Sequence, residues 1–339
     1  MTNNHNKSTY RRQKKQLLLF NTLVSIVLAV SIVFAGALGV LAYMTGNMRK
    51  GLISQNHGDL GISSEISNKL PKEIVNIALF GLDSNARETT NLTHALTGRS
   101  DTIIIVSINT IENTIKLTSI LRDSWVKIDG SSKFNGYNKI NAAYSYGGAE
   151  LAIKTLNQTF NLNITDYIAV NFHQTALVFE ALGGVDIEIT EMERRRINEM
   201  SNEEGFTCEL LPKTGLVHLN GIQALAYSRI RDDSDEIRVL RQQKVLSCLF
   251  EKAKQLAPSE YPSKLRKILS TVETSMSYDE LISFAPLLAI SDLHLESTSV
   301  PGKEVVGKGG IFSDTRGGWV WKFDYDGAKE YIYKWIYGI

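Results

Sequence analysis

Ile74-Val-Asn-Ile-Ala-Leu-Phe-Gly-Leu-Asp83, Gly98-Arg-Ser-Asp-Thr-Ile-Ile-Ile-Val-Ser-Ile108 and Thr114-Ile-Lys-Leu-Thr-Ser-Ile-Leu-Arg-Asp123 are the three runs on which the fold turns. Short runs of β-branched and apolar residues, cut off by Gly, Asn and Asp, read as buried strands. Each run carries charge at one end. Asp83 follows the first, Arg99 and Asp101 open the second, and Arg122-Asp123 follow the third. In open α/β sheets ligands collect outside the carboxyl ends of strands. Carboxylates and arginines converging on one sheet edge imply a divalent cation, Mg²⁺ by ligand type, and an anionic, phosphorylated ligand. The competing structural roles are an Asx turn at Asp83 and a turn cap at Asp101.

Downstream, strand and helix patterns alternate. A helix is expected from Ala149 to Phe160 after the Gly147-Gly148 break, a strand over Tyr167–Phe172, a helix over Gln174–Leu182 and a strand over Val185–Ile189. Charged Glu191–Asn202 reads as a solvated helix. Glu236–Ala257 reads as a long helix with an apolar stripe that includes Val239, Val245 and Leu249. Tyr278–Ile290 and Asp326–Tyr337 look helical, with a strand near Leu295–Val300 between them. This alternation predicts one α/β domain over residues 72–339, a central mixed β-sheet flanked by helices.

Upstream, Leu17–Tyr43 is free of charge. At 1.5 Å per residue such a helix spans roughly 40 Å, enough for a hydrocarbon core of about 30 Å. Lys7, Arg11, Arg12, Lys14 and Lys15 precede it with no acid, which places residues 1–16 in the cytoplasm and the body outside. Ala35-Gly36-Ala37 resembles a cleavage site, but the apolar run exceeds a signal-peptide core and continues past it, so a single-pass signal-anchor is the expectation. Residues 44–71, rich in Gly, Ser and Asn and closed by Pro71, read as a juxtamembrane linker with room for short helical pieces.

The net charge of +1 conceals this basic tail; the remainder is mildly acidic, which excludes general nucleic-acid binding. Arginine clusters in the body are therefore local. Arg229-Ile230-Arg231 alternates, so in an extended segment both guanidiniums project from one face and suit phosphate oxygens. Arg238 and Arg241 are helical neighbours, with ion pairing to Asp232, Asp233, Asp235 or Glu236 as the plainer role. Lys139 is a candidate phosphate charge, and Asn141 a helix cap. The apolar segments Ile168–Val170, Ala176–Phe179 and Leu246–Phe250 read as core, or as a crevice for a lipid chain. Cys208 and Cys248 are either paired or unrelated small core residues. The chain has neither a nucleophile elbow nor a Walker loop.

Gly98-Arg-Ser-Asp-Thr102, Leu121-Arg-Asp123, Lys139-Ile-Asn-Ala-Ala-Tyr144, Leu182-Gly-Gly-Val-Asp186, Leu219-Asn-Gly-Ile-Gln-Ala-Leu-Ala-Tyr-Ser-Arg-Ile-Arg231 and Arg241-Gln-Gln243 occur in an order that resembles the LytR–CpsA–Psr family of bacterial cell-wall enzymes. The resemblance spans about Ile74 to Leu256, with a looser echo beyond. It implies an extracytoplasmic phosphotransferase that moves a teichoic-acid or capsular-polysaccharide type glycopolymer from an undecaprenyl-pyrophosphate carrier in the membrane lipid to peptidoglycan. Carried over by position, it implies Asp83 and Asp101 as Mg²⁺ ligands. It implies Arg99, Arg122, Lys139, Arg229, Arg231 and one of Gln242 and Gln243, with Gln242 favoured, as the pyrophosphate clamp. Asp123 is the candidate base for the acceptor hydroxyl. Three departures stand out: Leu121 replaces the family's proline before Arg122, Glu236-Ile237-Arg238 replaces Phe-Gly-Arg, and the gap around Asn91–Leu96 is long. The competing functions are a polyprenyl-pyrophosphate pyrophosphatase and a non-catalytic phospho-lipid-binding regulator.

Overall fold

A computed structural model describes residues 49–83, 98–130, 134–202, 208–257, 259–284, 293–315 and 318–338. The expected tail, membrane anchor and Asn91–Leu96 insertion lie outside the described residues. Among the described residues no helix is long and apolar enough to cross a membrane.

The chain enters through β1 (Arg49–Lys50) and α1 (Ser64–Lys69), then forms an antiparallel meander of β2 (Ile74–Leu82), β3 (Ser100–Asn109) and β4 (Thr114–Ile120). A hairpin of β5 (Trp125–Ile128) and β6 (Gly136–Lys139) leads into α2 (Ala142–Phe160). β7 (Asp166–Asn171) then returns parallel to β2. Next come α3 (Phe172–Ala181), β8 (Val185–Ile189), α4 (Glu191–Met200), β9 (Gly215–Leu219) and α5 (Gly221–Arg229). The long α6 (Asp235–Lys254), α7 (Tyr261–Leu269), β10 (Glu273–Thr274), α8 (Tyr278–Ser283) and β11 (His294–Val300) follow. A hairpin of β12 (Gly307–Ile311) and β13 (Trp319–Phe323), then α9 (Tyr325–Tyr337), close the fold. The central sheet has seven strands in the order β1-β10-β7-β2-β3-β4-β11 and mixes parallel with antiparallel pairs, as the sequence predicts.

Strand alternation divides the two faces. Phe80, Leu82, Ile103 and Ile105 point into a closed core with Ile153, Leu156 and Phe160 of α2 and Ile332 and Ile336 of α9. Leu79, Gly81, Ile104 and Val106 face the other way, toward α3, α6 and α7. Both faces are covered, which is why β3 reads as a near-continuous apolar run. A second cluster joins the β8–β9 hairpin to α3, α4, α5 and α6. Capping boxes start three of these helices, Asn171 with Gln174, Thr190 with Glu193, and Asn220 with Gln223, each pairing two otherwise orphaned backbone donors.

The stretch expected as a linker differs from that reading over its described part. Leu60, Ile62 and Leu70 are buried in the main core, β1 pairs with β10, and Ser63 caps α1. Its Gly, Ser and Asn content reflects tight turns on the body. Gly147 and Gly148 mark a kink inside α2, Gly148 at φ 66°, so a first helical turn precedes the expected start at Ala149.

Candidate functional site

Because β3 runs antiparallel to both neighbours, the end of β2, the start of β3 and the end of β4 share one sheet edge. Asp83, Arg99, Asp101 and Arg122 collect there for that reason. A register shift at Gly81/Leu82 bends β2 at this edge. A Cβ on Gly81 would lie 2.9 Å from Thr102 Cβ, so only glycine permits this approach. The Asp83 N–H donates to the Arg99 carbonyl at 2.9 Å, and both residues are exposed.

Asp101 is the hub. Its Oδ2 accepts from Arg122 Nη1 at 2.5 Å and from Arg231 Nη2 at 2.7 Å. Arg122 Nε lies 3.4 Å from Asp123 Oδ2, and Lys139 Nζ lies 2.7 Å from Asp123 Oδ1. Lys139 reaches this point because the β5–β6 hairpin sets it opposite Trp125, while the Asn141 N–H donates to the Arg122 carbonyl at 3.2 Å. Among the described residues three cations thus share two carboxylates, Asp101 and Asp123. The Asp101 and Asp123 side chains are only 12% and 10% exposed, whereas Arg231 is half exposed. The carboxylates sit behind and the guanidinium faces outward, an arrangement that holds cations rigid for an incoming anion.

Asn141 occupies the N-cap position of α2, yet its side chain makes no cap bond; Asn141 Oδ1 and the neighbouring Ser100 Oγ are buried without a hydrogen-bond partner. The Asn141 carbonyl accepts from Ser100 N at 3.3 Å, which ties the start of α2 to the start of β3.

Arg229 and Arg231 do not share a face. Arg229 is the last residue of α5, and Ile230 caps the helix in a non-helical conformation. The Arg229 guanidinium stacks 3.7 Å over the Phe172 ring, while Arg231 turns to Asp101. Helical rather than extended backbone through Arg229 is the physical reason. Arg241 takes the plainer role: it donates to both oxygens of Asp233 at 2.8 and 2.6 Å and to Glu193 at 2.9 Å, fully buried. Its hydrogen bonds hold the Asp233 carboxyl below the ordinary value. Burial pushes the Glu193 carboxyl up, but hydrogen bonds from the Thr190 backbone and Arg241 bring it below the usual range. This triad, with Arg241 and Glu193 buried and Asp233 exposed, ties the turn that presents Arg231 to α4 and α6.

The two glutamines separate. Gln242 Nε2 lies 3.3 Å from Thr102 Oγ1, beside Asp101 in sequence, whereas Gln243 is buried against Ser119 and the Thr298 carbonyl. Gln242, Thr102 and Arg229 also line an apolar cavity of about 470 Å³ between the sheet and α3, α6 and α7. Ile168, Val170, Val178, Phe179, Leu246 and Phe250, from segments read as core or lipid crevice, line that cavity. Cys208 and Cys248 are unpaired; Cys208 Sγ accepts from Asn220 Nδ2, and Cys248 Sγ lies 3.8 Å from the Asp186 carbonyl.

Asp83 and Asp101 are carboxylate donors at one edge, the ligand class a hard cation takes. Among the described residues no group of three or more His, Cys, Asp or Glu gathers to hold a metal. A Mg²⁺ ion there would draw its other ligands from phosphate oxygens and water, its usual habit.

Biofilm regulatory protein A of Streptococcus mutans serotype c is 34% identical over 265 residues, 76% of this chain, and the match spans 63% of that relative's length. TagT of Bacillus subtilis, named polyisoprenyl-teichoic acid–peptidoglycan teichoic acid transferase, is 27% identical over 286 residues, 83% of this chain and 85% of its own. The solved structure of TagT bound to LI-WTA is 25% identical and covers 79% of this chain and 92% of that one, with a TM-score of 0.61. Residues 40–330 match the LytR_cpsA_psr family model, and the chain belongs to that family.

Proposed function

We propose that the protein transfers an anionic glycopolymer from a polyprenyl-pyrophosphate carrier to peptidoglycan by Mg²⁺-assisted phosphotransfer outside the cytoplasmic membrane. The observation that carries this reading is a buried-carboxylate, outward-cation cluster beside the polar mouth of an apolar cavity. The cavity takes the isoprenoid tail, and Arg122, Arg231 and Lys139 take the pyrophosphate, with Arg99, Arg229 and Gln242 around them. Bound at Asp83 and Asp101, Mg²⁺ would neutralise charge on the phosphates. Phosphoryl transfer asks mainly for positioning and electrostatics, which this cluster supplies without a covalent nucleophile. Both Asp123 oxygens face cations, so Asp123 positions Arg122 and Lys139 rather than taking the acceptor proton.

The test is turnover of purified full-length protein with a carrier-linked polymer, with and without peptidoglycan. Polymer on peptidoglycan, dependent on Mg²⁺ and losing that dependence in Asp101→Asn, is the expected result. Free polymer phosphate in equal amount whether or not acceptor is present would make the protein a pyrophosphatase instead. A fusion partner active only in the cytoplasm, placed after Ile339, should be silent; activity there would overturn the extracytoplasmic location.

A further inference from the structure

The β12–β13 hairpin stands outside the reading above, and its sequence sets glycines against aromatics. Gly309 pairs with Trp321, and Gly307 with Phe323. A Cβ on Gly309 would come within 2.5 Å of Trp319 Cζ2 and 3.4 Å of Trp321 Cη2. Both indoles therefore lie on bare β12 backbone, edge to face with centroids 5.2 Å apart and planes at 86°. Trp319 nevertheless remains 40% exposed.

This platform is docked on the phosphate cluster. The Trp321 backbone N–H donates to the Asp123 carbonyl at 2.9 Å, and Ser124 forms a parallel bridge with Trp321. The two indoles form one side of an open cleft of about 440 Å³, whose other side is Arg231, Asp233, Ser234 and Glu236. Arg231 is shared, since its guanidinium also bonds Asp101. The apolar cavity has a different mouth, at Thr102, Arg229 and Gln242. The cation cluster thus has an apolar cavity on one flank and an aromatic, carboxylate-lined cleft on another.

A rigid indole face beside hydroxyl acceptors and a guanidinium donor matches a pyranose ring. The ring's C–H face packs on the indole, and its hydroxyls donate to Glu236 and accept from Arg231. We infer that Trp319, Trp321 and Glu236 form a pyranose subsite that seats a sugar of the reacting glycan next to the phosphates. This inference rests on the function proposed above and names the residues that read the sugar. The sugar is either the first ring of the carrier-linked polymer or a ring of the acceptor glycan; the two share the same chemistry.

Three ligands separate the possibilities on the full-length protein in detergent: sugar-free polyprenyl pyrophosphate, the same carrier bearing a hexosamine, and a soluble peptidoglycan glycan fragment. Trp319→Ala should leave the sugar-free ligand within about twofold and weaken one of the sugar ligands about tenfold. Trp319→Phe should restore most of that loss. Gly309→Ala touches no ligand but displaces the Trp319 indole, which its Cβ would meet at 2.5 Å, and should reproduce the Trp319→Ala defect. Loss confined to the hexosamine carrier assigns the cleft to the donor; loss confined to the glycan fragment assigns it to the acceptor. If folded Trp319→Ala and Gly309→Ala bind all three ligands as the parent does, or the parent binds neither sugar ligand better than its sugar-free counterpart or buffer, the subsite is refuted. A parent that binds the glycan fragment but no polyprenyl pyrophosphate would instead overturn the function proposed above.

Discussion

Replacing Arg122 with alanine is the sharpest perturbation of the proposed clamp. In the parent, Arg122, Arg231 and Lys139 face Asp101 and Asp123, three positive charges against two negative. Removing Arg122 leaves each carboxylate one cation, Arg231 on Asp101 and Lys139 on Asp123. Among the described residues of the cluster the excess falls from one charge to none, so both carboxylates keep a cation while the attraction for an anion weakens. A charge-assisted hydrogen bond is worth about 1.5–3 kcal/mol. Pyrophosphate affinity should therefore fall roughly tenfold to a hundredfold, at about 1.4 kcal/mol per decade. Arg122→Lys should recover only part, because a point charge cannot reproduce the planar fork. Calorimetric titration of polyprenyl pyrophosphate measures this, with uncharged polyprenol as the control for the tail. Polyprenol binding should not change. A folded Arg122→Ala protein that binds polyprenyl pyrophosphate with parental affinity would refute the assignment of this cluster to phosphate.

Leu246→Trp fills part of the apolar cavity that Leu246 lines. It should weaken carrier binding by about 0.8 kcal/mol per displaced methylene, read as a penalty that grows with isoprenoid chain length. Thermal stability should depend on pH through Glu193 and Asp233, whose carboxyls are held below their ordinary values. Groups with lowered folded values stabilise above the unfolded value, about 4, and lose that contribution as pH falls through the folded value. Melting temperature should accordingly drop in acid, and Arg241→Met should flatten that dependence while lowering stability at pH 7. Because Cys208 and Cys248 are unpaired, the purified protein should take up two alkyl groups under non-reducing denaturing conditions, read by mass spectrometry, and the double serine variant should bind carrier normally.

Much of the fold was legible because buried strands and amphipathic helices leave periodic traces. The sequence pattern matches β8 (Val185–Ile189) to the residue, and β7, α4, α6, α9 and β11 within a few residues of their ends. Over residues 49–71 turn-rich composition looks alike in a linker and in a docked loop, and only the burial of Leu60, Ile62 and Leu70 distinguishes the two. The alternation of Arg229-Ile230-Arg231 puts both guanidiniums on one face only in extended backbone, and α5 continues through Arg229. The Trp319–Trp321 platform left a faint signal, glycines in one short strand and aromatics in the next, that acquires meaning only once β12 and β13 are paired.

By itself, the sequence determined which residue types stand at strand ends and which faces are apolar, because both depend on local spacing. It also determined family membership, through motifs kept in order. Only the tertiary structure decided that Asp101 and Arg122 meet and that Asp83 shares their end of the sheet, since that follows from β3 running antiparallel between β2 and β4. It alone separated Gln242 at the cavity mouth from Gln243 in the core, and Arg241 in a buried ion triad from Arg231 at the surface. Neighbours in sequence diverge because a helix rotates each residue by about 100° from the last, whereas partners such as Arg231 and Asp101 are brought together by pairing that no local pattern encodes.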